Sequence, residues 1–179
     1  MKTAYGPKIV FSVTLLFLGS FTRGQEITSV PAAKAACGPE NIKFDVSLDQ
    51  SQPPVADSTG GKAMVYILQD FPPVKSMFHF TTRVGVDAAW AGANKDRSYF
   101  GFLIDPGVHH LCVSGQWSGP SPSIALHRIE AKVGQTYYFA VRFSYLGSGG
   151  GILLDLEPVD EDQGQFMLQS SKHSTSHPK

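Results

Sequence analysis

Residues 98–131, SYFGFLIDPGVHHLCVSGQWSGPSPSIALHRIEA, decide the fold of this chain. Large apolar residues alternate with small or polar ones over 99–104, and this period of two predicts a strand with one buried face. The residues 105–107, Asp-Pro-Gly, predict a tight turn, after which 108–117 is expected to run back as a second strand. A loop rich in glycine, proline and serine then leads to a third strand at 124–131. The stretch is therefore predicted to be hairpin-like, and the rest of the chain is expected to pack around it.

Further strands are predicted on both sides of this stretch, from the same alternation and from short apolar runs. They cover residues 41–48, 62–69, 78–86, 136–144 and 152–157. The continuous apolar run at 62–69 is typical of a central strand covered on both faces. Residues 87–96 predict a turn region, and 160–169 predicts a short helix. About seven to eight short strands and one C-terminal helix predict an all-β protein, with the architecture of an antiparallel β-sandwich.

The first 24 residues have the three parts of a secretory signal peptide. Lys2 and Lys8 give a positive start, the run 9–21 is apolar and uncharged, and small residues surround the end at Gly24. This apolar run is well short of the roughly 20 residues that span a bilayer, so we expect cleavage near Gly24 rather than a retained anchor. Polar and charged residues separate the run from Cys37, which argues against lipidation of that cysteine.

The rest of the chain divides into three parts. Residues 25–36 are small and polar and predict a flexible lead-in, 37–169 predicts one domain, and the polar residues 170–179 predict a disordered tail. The whole chain has 15 basic and 15 acidic residues, and the signal peptide contains basic residues but no acidic one. Because the mature chain is slightly acidic and has no basic patch, we expect no nucleic-acid partner. No later run is long and apolar enough to predict a membrane span.

The two cysteines are Cys37 and Cys112. An even pair of cysteines in an exported chain predicts one disulfide, which would tie the N-terminal part of the domain to its central stretch. Two free thiols are the alternative.

Several turn and strand residues of the chain form a recurring pattern. They are Gly61-Lys62-Ala63, Val65-Tyr66, Tyr99-Phe100, Pro106-Gly107, His109 and Gly134-Gln135-Thr136-Tyr137-Tyr138, with Ala36-Cys37-Gly38-Pro39 at the opening. In these residues the chain resembles a prokaryotic family of small exported domains of unknown function (domain-of-unknown-function family 2846), similar in style to PEGA-like surface β-domains. The resemblance covers roughly 37–169 and implies an envelope or extracellular β-sandwich. Its motifs are turn and strand features, so it implies no catalytic residues.

Three residues are candidate metal ligands: His110, Cys112 and His127. If the second and third strands of the deciding stretch pair antiparallel, with Leu111 facing the core against Leu126, then His110 and Cys112 point outward and His127 lies beside Cys112. Two imidazoles and a thiolate in this arrangement suit zinc or copper. The alternative is a disulfide-bonded Cys112 between histidines that are ordinary strand residues.

Aromatic residues give a second candidate site. Trp117, Tyr138 and Tyr145 are candidates for a ligand face, because flat rings stack on the apolar faces of sugars. Packing within the sheet is the alternative, since aromatic residues are favoured in strands. His109 follows the Pro-Gly turn, and its ring is predicted to hydrogen-bond backbone groups there. The glycine run at 147–151 lacks the residues of a phosphate-binding loop.

These patterns predict a secreted or periplasmic protein that is not an enzyme and needs no cofactor. We expect a binding or structural module of the cell envelope, with another envelope protein or a glycan as its partner. A metal-binding protein or metalloenzyme that uses His110, Cys112 and His127 is the alternative. A third hypothesis is a β-domain that offers an edge strand to a partner protein.

Overall fold

The computed structural model describes residues 36–51, 60–71, 80–116, 123–145 and 151–179. Within these residues there are ten strands and one helix. The strands are β1 (Phe44–Asp49), β2 (Ala63–Gln69), β3 (Thr81–Val86), β4 (Ala89–Lys95), β5 (Ser98–Ile104), β6 (Gly107–Gly115), β7 (Ile124–Ala131), β8 (Thr136–Tyr145), β9 (Ile152–Val159) and β10 (Lys172–Pro178). The helix α1 (Glu161–Ser170) lies between β9 and β10. The all-β prediction with a short C-terminal helix is confirmed, while the predicted signal peptide and lead-in lie almost wholly outside the described residues.

The strands form two sheets of unequal size. The larger has the order β1-β10-β5-β2-β8-β9, and the smaller has the order β4-β3-β6-β7. Most neighbours are antiparallel, but β2 pairs with β8 in parallel, and so does β10 with β5. The prediction of a purely antiparallel arrangement of seven to eight strands is therefore wrong. The parallel pairs arise because the connections to β8 and β10 pass through other elements rather than through tight hairpins.

One core lies between the two sheets, and β2 is its central strand. All seven residues of β2 are buried, as the continuous apolar run predicts. Val65 and Ile67 contact the core from the larger sheet, while Leu111 and Val113 contact it from the smaller one. A second apolar cluster fills the opposite face of β2, beneath α1. Coverage on both faces explains why this strand lacks polar alternation.

The first turn of the deciding stretch is a corner, whereas its second and third strands, β6 and β7, pair antiparallel as predicted. β5 pairs with β2 in the larger sheet, whereas β6 pairs with β3 and β7 in the smaller sheet. The chain changes sheets at Asp105-Pro106-Gly107, where Gly107 has a φ of 136°, a conformation that favours glycine. The prediction that the chain runs back against β5 is wrong, because a Pro-Gly sequence marks a sharp change of direction without specifying the pairing partner.

The turn region predicted at 87–96 is mostly strand. Only Asp87 and Ala88 form the turn, with φ values of 48° and 71°, and β4 follows directly. The small residues of β4 favour a turn on local propensity, but at Gly92 a small residue is required by packing. A Cβ on Gly92 would lie 2.8 Å from the Phe100 ring, so a larger residue does not fit against the core there.

The C-terminal residues end in a strand. β10 pairs antiparallel with all six residues of β1, so the prediction of a disordered tail over 170–179 is wrong. Two serine side chains also tie β10 to the other sheet: Ser174 donates to the Ala93 carbonyl at 2.7 Å, and Ser176 accepts from the Ala93 amide at 3.0 Å. Hydrogen bonds therefore hold a segment whose polar composition gives no hydrophobic signal. Across the part of the chain that the structure describes, no helix has the length and apolar character needed to cross a membrane.

Candidate functional site

The predicted disulfide between Cys37 and Cys112 is present, with 5.2 Å between the two Cα atoms. It fastens the first described residues to the outer face of the smaller sheet. The Ala36 carbonyl accepts a hydrogen bond from the Ala88 amide at 3.1 Å. Gly85 leaves room for this crossing, because a Cβ there would lie 3.2 Å from the Cys37 Cα.

Arg83 holds the same N-terminal segment from beneath. Its Nη1 donates to the Glu40 carbonyl at 3.0 Å and to the Ile42 carbonyl at 2.5 Å. Its guanidinium also lies 4.5 Å from the centre of the Trp90 ring, an arrangement that favours a cation. Burial lowers the pKa of Arg83, and the charge of Glu40 opposes this shift. The sequence pattern does not single out Arg83, whose only signal is a charged side chain in the middle of a predicted strand.

The three candidate metal ligands do not meet. Cys112 is disulfide-bonded and fully buried, so no thiolate is available. In the β6–β7 register Leu111 lies opposite His127, and Cys112 lies opposite Leu126. His127 therefore faces the core side with Leu111, and its ring lies 4.9 Å from the ring of Phe139.

This register places the two histidines on opposite faces of the smaller sheet. His110 is exposed, and it shares its face with Cys112 rather than with His127. Burial lowers the pKa of His127, and the charge of Asp155 opposes that shift. The predicted metal site of His110, Cys112 and His127 is therefore wrong. The β6–β7 register differs by one residue from the predicted register, and Cys112 is oxidised in the disulfide. Among the described residues, no group of three or more His, Cys, Asp and Glu side chains is placed to hold a metal ion.

His109 connects two turns through both of its ring nitrogens. Nδ1 lies 2.6 Å from the Asp87 carboxylate, and Nε2 lies 2.7 Å from the Asp105 carbonyl oxygen. Because both partners are acceptors, the ring satisfies both only when each nitrogen bears a proton. The hydrogen bond to Asp87 raises the pKa of His109; burial opposes this rise and the Asp105 carbonyl supports it. The predicted hydrogen bond between the His109 ring and a backbone group is confirmed for Nε2. The contact between Nδ1 and the Asp87 carboxylate was not predicted.

Asp87 is the carboxylate that organises this network. Burial works to raise its pKa, but a hydrogen bond from the His110 amide and the contact with His109 outweigh burial and lower it. The sequence pattern does not single out Asp87, although an aspartate at the start of a tight turn is a common arrangement.

Turn residues from three parts of the chain come together at this end of the molecule. Lys62 forms an ion pair with Asp105 at 2.9 Å, and its carbonyl accepts from the Gly134 amide at 3.1 Å. His109 binds the Asp105 carbonyl from the other side. Lys62, His109 and Gly134, which belong to the recurring sequence pattern, therefore connect these turns through hydrogen bonds and an ion pair. Their arrangement stabilises the fold.

The candidate ligand face is not a single face. Tyr138 is buried beneath α1, where its ring stacks on Tyr66 at 5.5 Å and its hydroxyl accepts from Gln165 at 2.7 Å. Tyr145 is 73% exposed at the end of β8, and the odd spacing from Tyr138 puts it on the other face of the strand. Trp117 lies outside the described residues. Tyr138 is therefore a packing residue rather than a ligand contact.

A groove of about 400 Å³ opens beside His109, between β4 and β5. Its walls combine strand residues with the charged residues of the two turns. They are Val86, Asp87, Ala89, Trp90, Ala91, Phe102, Leu103, Ile104, Asp105 and His109. Leu103 is an exposed apolar residue, at 39% of its full accessibility. This groove joins an apolar surface to a polar rim, as binding sites commonly do.

Comparison of the chain with family models, with curated proteins and with solved structures found no match.

Proposed function

We propose that this protein is an exported, non-enzymatic binding module of the cell envelope that binds its partner in the groove between β4 and β5. The observation that carries this proposal is the groove itself, in which exposed Leu103 lies beside the rim formed by Asp87, Asp105 and His109. The frame is proposed to be a β-sandwich, because residues of both sheets contribute to one core.

The polar groups near the groove support binding rather than catalysis. Both nitrogens of His109 contact acceptors, and the Asp105 carboxylate pairs with Lys62. A general base needs a free nitrogen or carboxylate oxygen within reach of its substrate. Groups that already satisfy one another are better suited to holding the shape of a site.

The proposed location rests on two features. The first 24 residues have the pattern of a cleaved signal peptide, and one disulfide joins Cys37 to Cys112. Disulfides persist in oxidising compartments, which include the periplasm and the extracellular space. Another envelope protein or a glycan is the proposed partner class.

Photo-crosslinking in exporting cells tests this function. A photoreactive amino acid replaces Leu103 in the groove, and the matched control replaces Val133, which is exposed at a turn outside the groove. We expect one discrete crosslinked species from position 103 and none from position 133. The intact mass of the exported chain is expected to show a start near Gln25 and no lipid. Equal labelling at both positions, or none at either, contradicts the proposal.

A further inference from the structure

The C-terminal strand covers only the first part of β5. β10 pairs with β5 at two positions, Lys172 with Ser98 and His173 with Tyr99, and then turns away to contact Ala93 of β4 through its serines. Ser98, Tyr99 and Phe100 are buried, whereas Gly101 and Leu103 are exposed. Residues of β5 therefore become more exposed beyond the point where β10 stops pairing with this strand.

The remaining part of β5 has backbone groups without a neighbouring strand among the described residues. The Met64 amide donates to the Gln135 carbonyl, on the side of β2 where β8 lies. Backbone groups alternate in direction along β2, so the amide and carbonyl of Val65 point toward β5. Val65 pairs with Phe102. Since bonding directions alternate along an antiparallel strand, Gly101 and Leu103 direct their amides and carbonyls away from β2, to the edge of β5 at which Leu103 lines the groove.

β4 forms the opposite wall of the groove. Ala89, Trp90 and Ala91 line it, and β4 is an edge strand of the smaller sheet. Farther along the same space, Ala93 of β4 already receives the serine side chains of β10. The groove is thus continuous with the space beside β4 and β5 that β10 occupies.

We propose that the groove accepts an extended segment of a partner polypeptide, which adds to β5 as a strand at Gly101 and Leu103. This inference deepens the proposed function and rests on it. The occupant is assigned from continuity with β10: the established part of this space holds an extended, hydrogen-bonded strand. A strand added here pairs its backbone with β5, while its side chains alternate between the apolar wall at Phe102 and solvent.

Backbone pairing, rather than the charge of the rim, limits which segments fit. Asp87 and Asp105 lie at the end of the groove, with side-chain exposures of 45% and 73%, but Asp87 contacts His109 and Asp105 pairs with Lys62. The rim therefore gives no strong preference for a basic residue. The chemical class is a proline-free segment with alternating apolar residues, because each amide that faces β5 must be able to donate.

Hydrogen exchange of the full mature chain, followed residue by residue, tests the proposal with a defined probe. The probe is an octapeptide of alternating valine and threonine with one terminal lysine. Two control peptides have the same sequence with N-methyl groups on every second residue, one on the valines and the other on the threonines. We expect the parent peptide to slow exchange of the Gly101 and Leu103 amides at least tenfold. One control is expected to retain this effect and the other to lose it, because only one edge of the peptide pairs with β5.

Two substitutions at one position separate backbone pairing from side-chain contact. Leu103→Pro removes the amide that faces the groove, and proline is tolerated where such an amide faces solvent. Leu103→Thr keeps the amide and replaces the side chain. We expect L103P to lose peptide protection of the Gly101 amide and L103T to weaken it less, because only L103P removes the amide at position 103. Protected Phe100 and Phe102 amides show that each variant is folded.

The outcomes distinguish the two proposals. Equal effects of both N-methyl peptides, or unchanged binding to L103P, overturn strand addition. If the parent peptide protects neither amide while crosslinking from position 103 succeeds, strand addition is overturned and the binding function stands. If crosslinking fails at both positions, the proposed function fails first.

Discussion

His109 is the residue whose ionisation has the clearest consequence for stability. In the folded state its pKa is raised by Asp87. Because the pKa is higher in the folded state, the stabilisation by protonated His109 is fully present below the unfolded-state pKa of about 6.5. It is lost as the pH rises through the folded-state pKa. The other charged groups around it are Asp105, Lys62 and the neighbouring His110.

We therefore expect His109→Gln to remove a pH-dependent part of the stability. Wild type is expected to lose about 1 kcal/mol between pH 6 and pH 9, the size of a partly exposed ion pair, while H109Q changes less. Urea denaturation at several pH values measures this difference. The matched control is His110→Gln, since His110 is exposed and its ring is outside the hydrogen bonds of His109. A variant H109Q with the full pH dependence of wild type contradicts the account.

Gly164 is a residue where packing and helix propensity oppose each other. It lies inside α1, and a Cβ there would be 2.4 Å from the ring of Tyr138. Alanine favours the helix by about 1 kcal/mol over glycine, but displacing the buried ring costs about 1–3 kcal/mol. We expect Gly164→Ala to lower the melting temperature, and Gln163→Ala on the exposed side to leave it within error. A more stable G164A protein contradicts the close packing of α1 on Tyr138.

The sequence predicted the residues of the disulfide but not the register beside it. Ile124 and Leu126 are apolar, yet they pack against the Cys37–Cys112 cluster on the outer face. Ala125 and Ile129 fill the core face of the same strand. Both faces of β7 are partly apolar because the N-terminal segment covers the outer one. Alternation alone therefore cannot distinguish the two registers, and the metal-site hypothesis followed from choosing the wrong one.

Among the elements, β10 is the one whose strand structure its own sequence pattern does not predict. Its sequence, KHSTSHP, has no large apolar residue. Its strand character comes from pairing with β1 and from the two serine contacts to Ala93, which are long-range interactions. The corner at 105–107 was limited in the same way, since local residues predict the bend but not the sheet that receives the next strand. α1, by contrast, was predicted within one residue. The structure shows Asp160 as its N-cap, with a side chain that accepts from the Gln163 amide at 2.8 Å.

The serine contact gives a prediction for this element. Ser174 is 3% exposed, and its hydroxyl satisfies the Ala93 carbonyl. Ser174→Ala is expected to cost about 1–2 kcal/mol, because a buried carbonyl loses its partner. Thr175→Ala, the exposed neighbour on the same strand, is expected to cost less than about 0.5 kcal/mol. Chemical denaturation of both variants measures the difference, and equal costs would refute the bridging role of β10.

At the scale of the whole molecule, the disulfide is the main covalent constraint. It closes a loop across a sequence separation of 75 residues. The loop-entropy relation gives about 4 kcal/mol for a loop of this length, and native disulfides typically contribute about 2–5 kcal/mol. We expect the double variant Cys37→Ser with Cys112→Ser to have a free energy of unfolding below that of wild type by an amount in this range, and therefore to unfold at a lower urea concentration. Reduced wild type serves as the matched comparison. Identical midpoints for oxidised and reduced protein contradict this contribution.

The central claim is that the fold leaves part of β5 open to a partner strand. Amide hydrogen exchange of the free, full-length mature protein tests it most directly. The account predicts an alternating pattern along β5, with slow exchange at Phe100 and Phe102, which bond to β2, and fast exchange at Gly101 and Leu103, which face the groove. Slow exchange at all four amides would mean that this edge is already occupied within the free protein, and it would contradict the account.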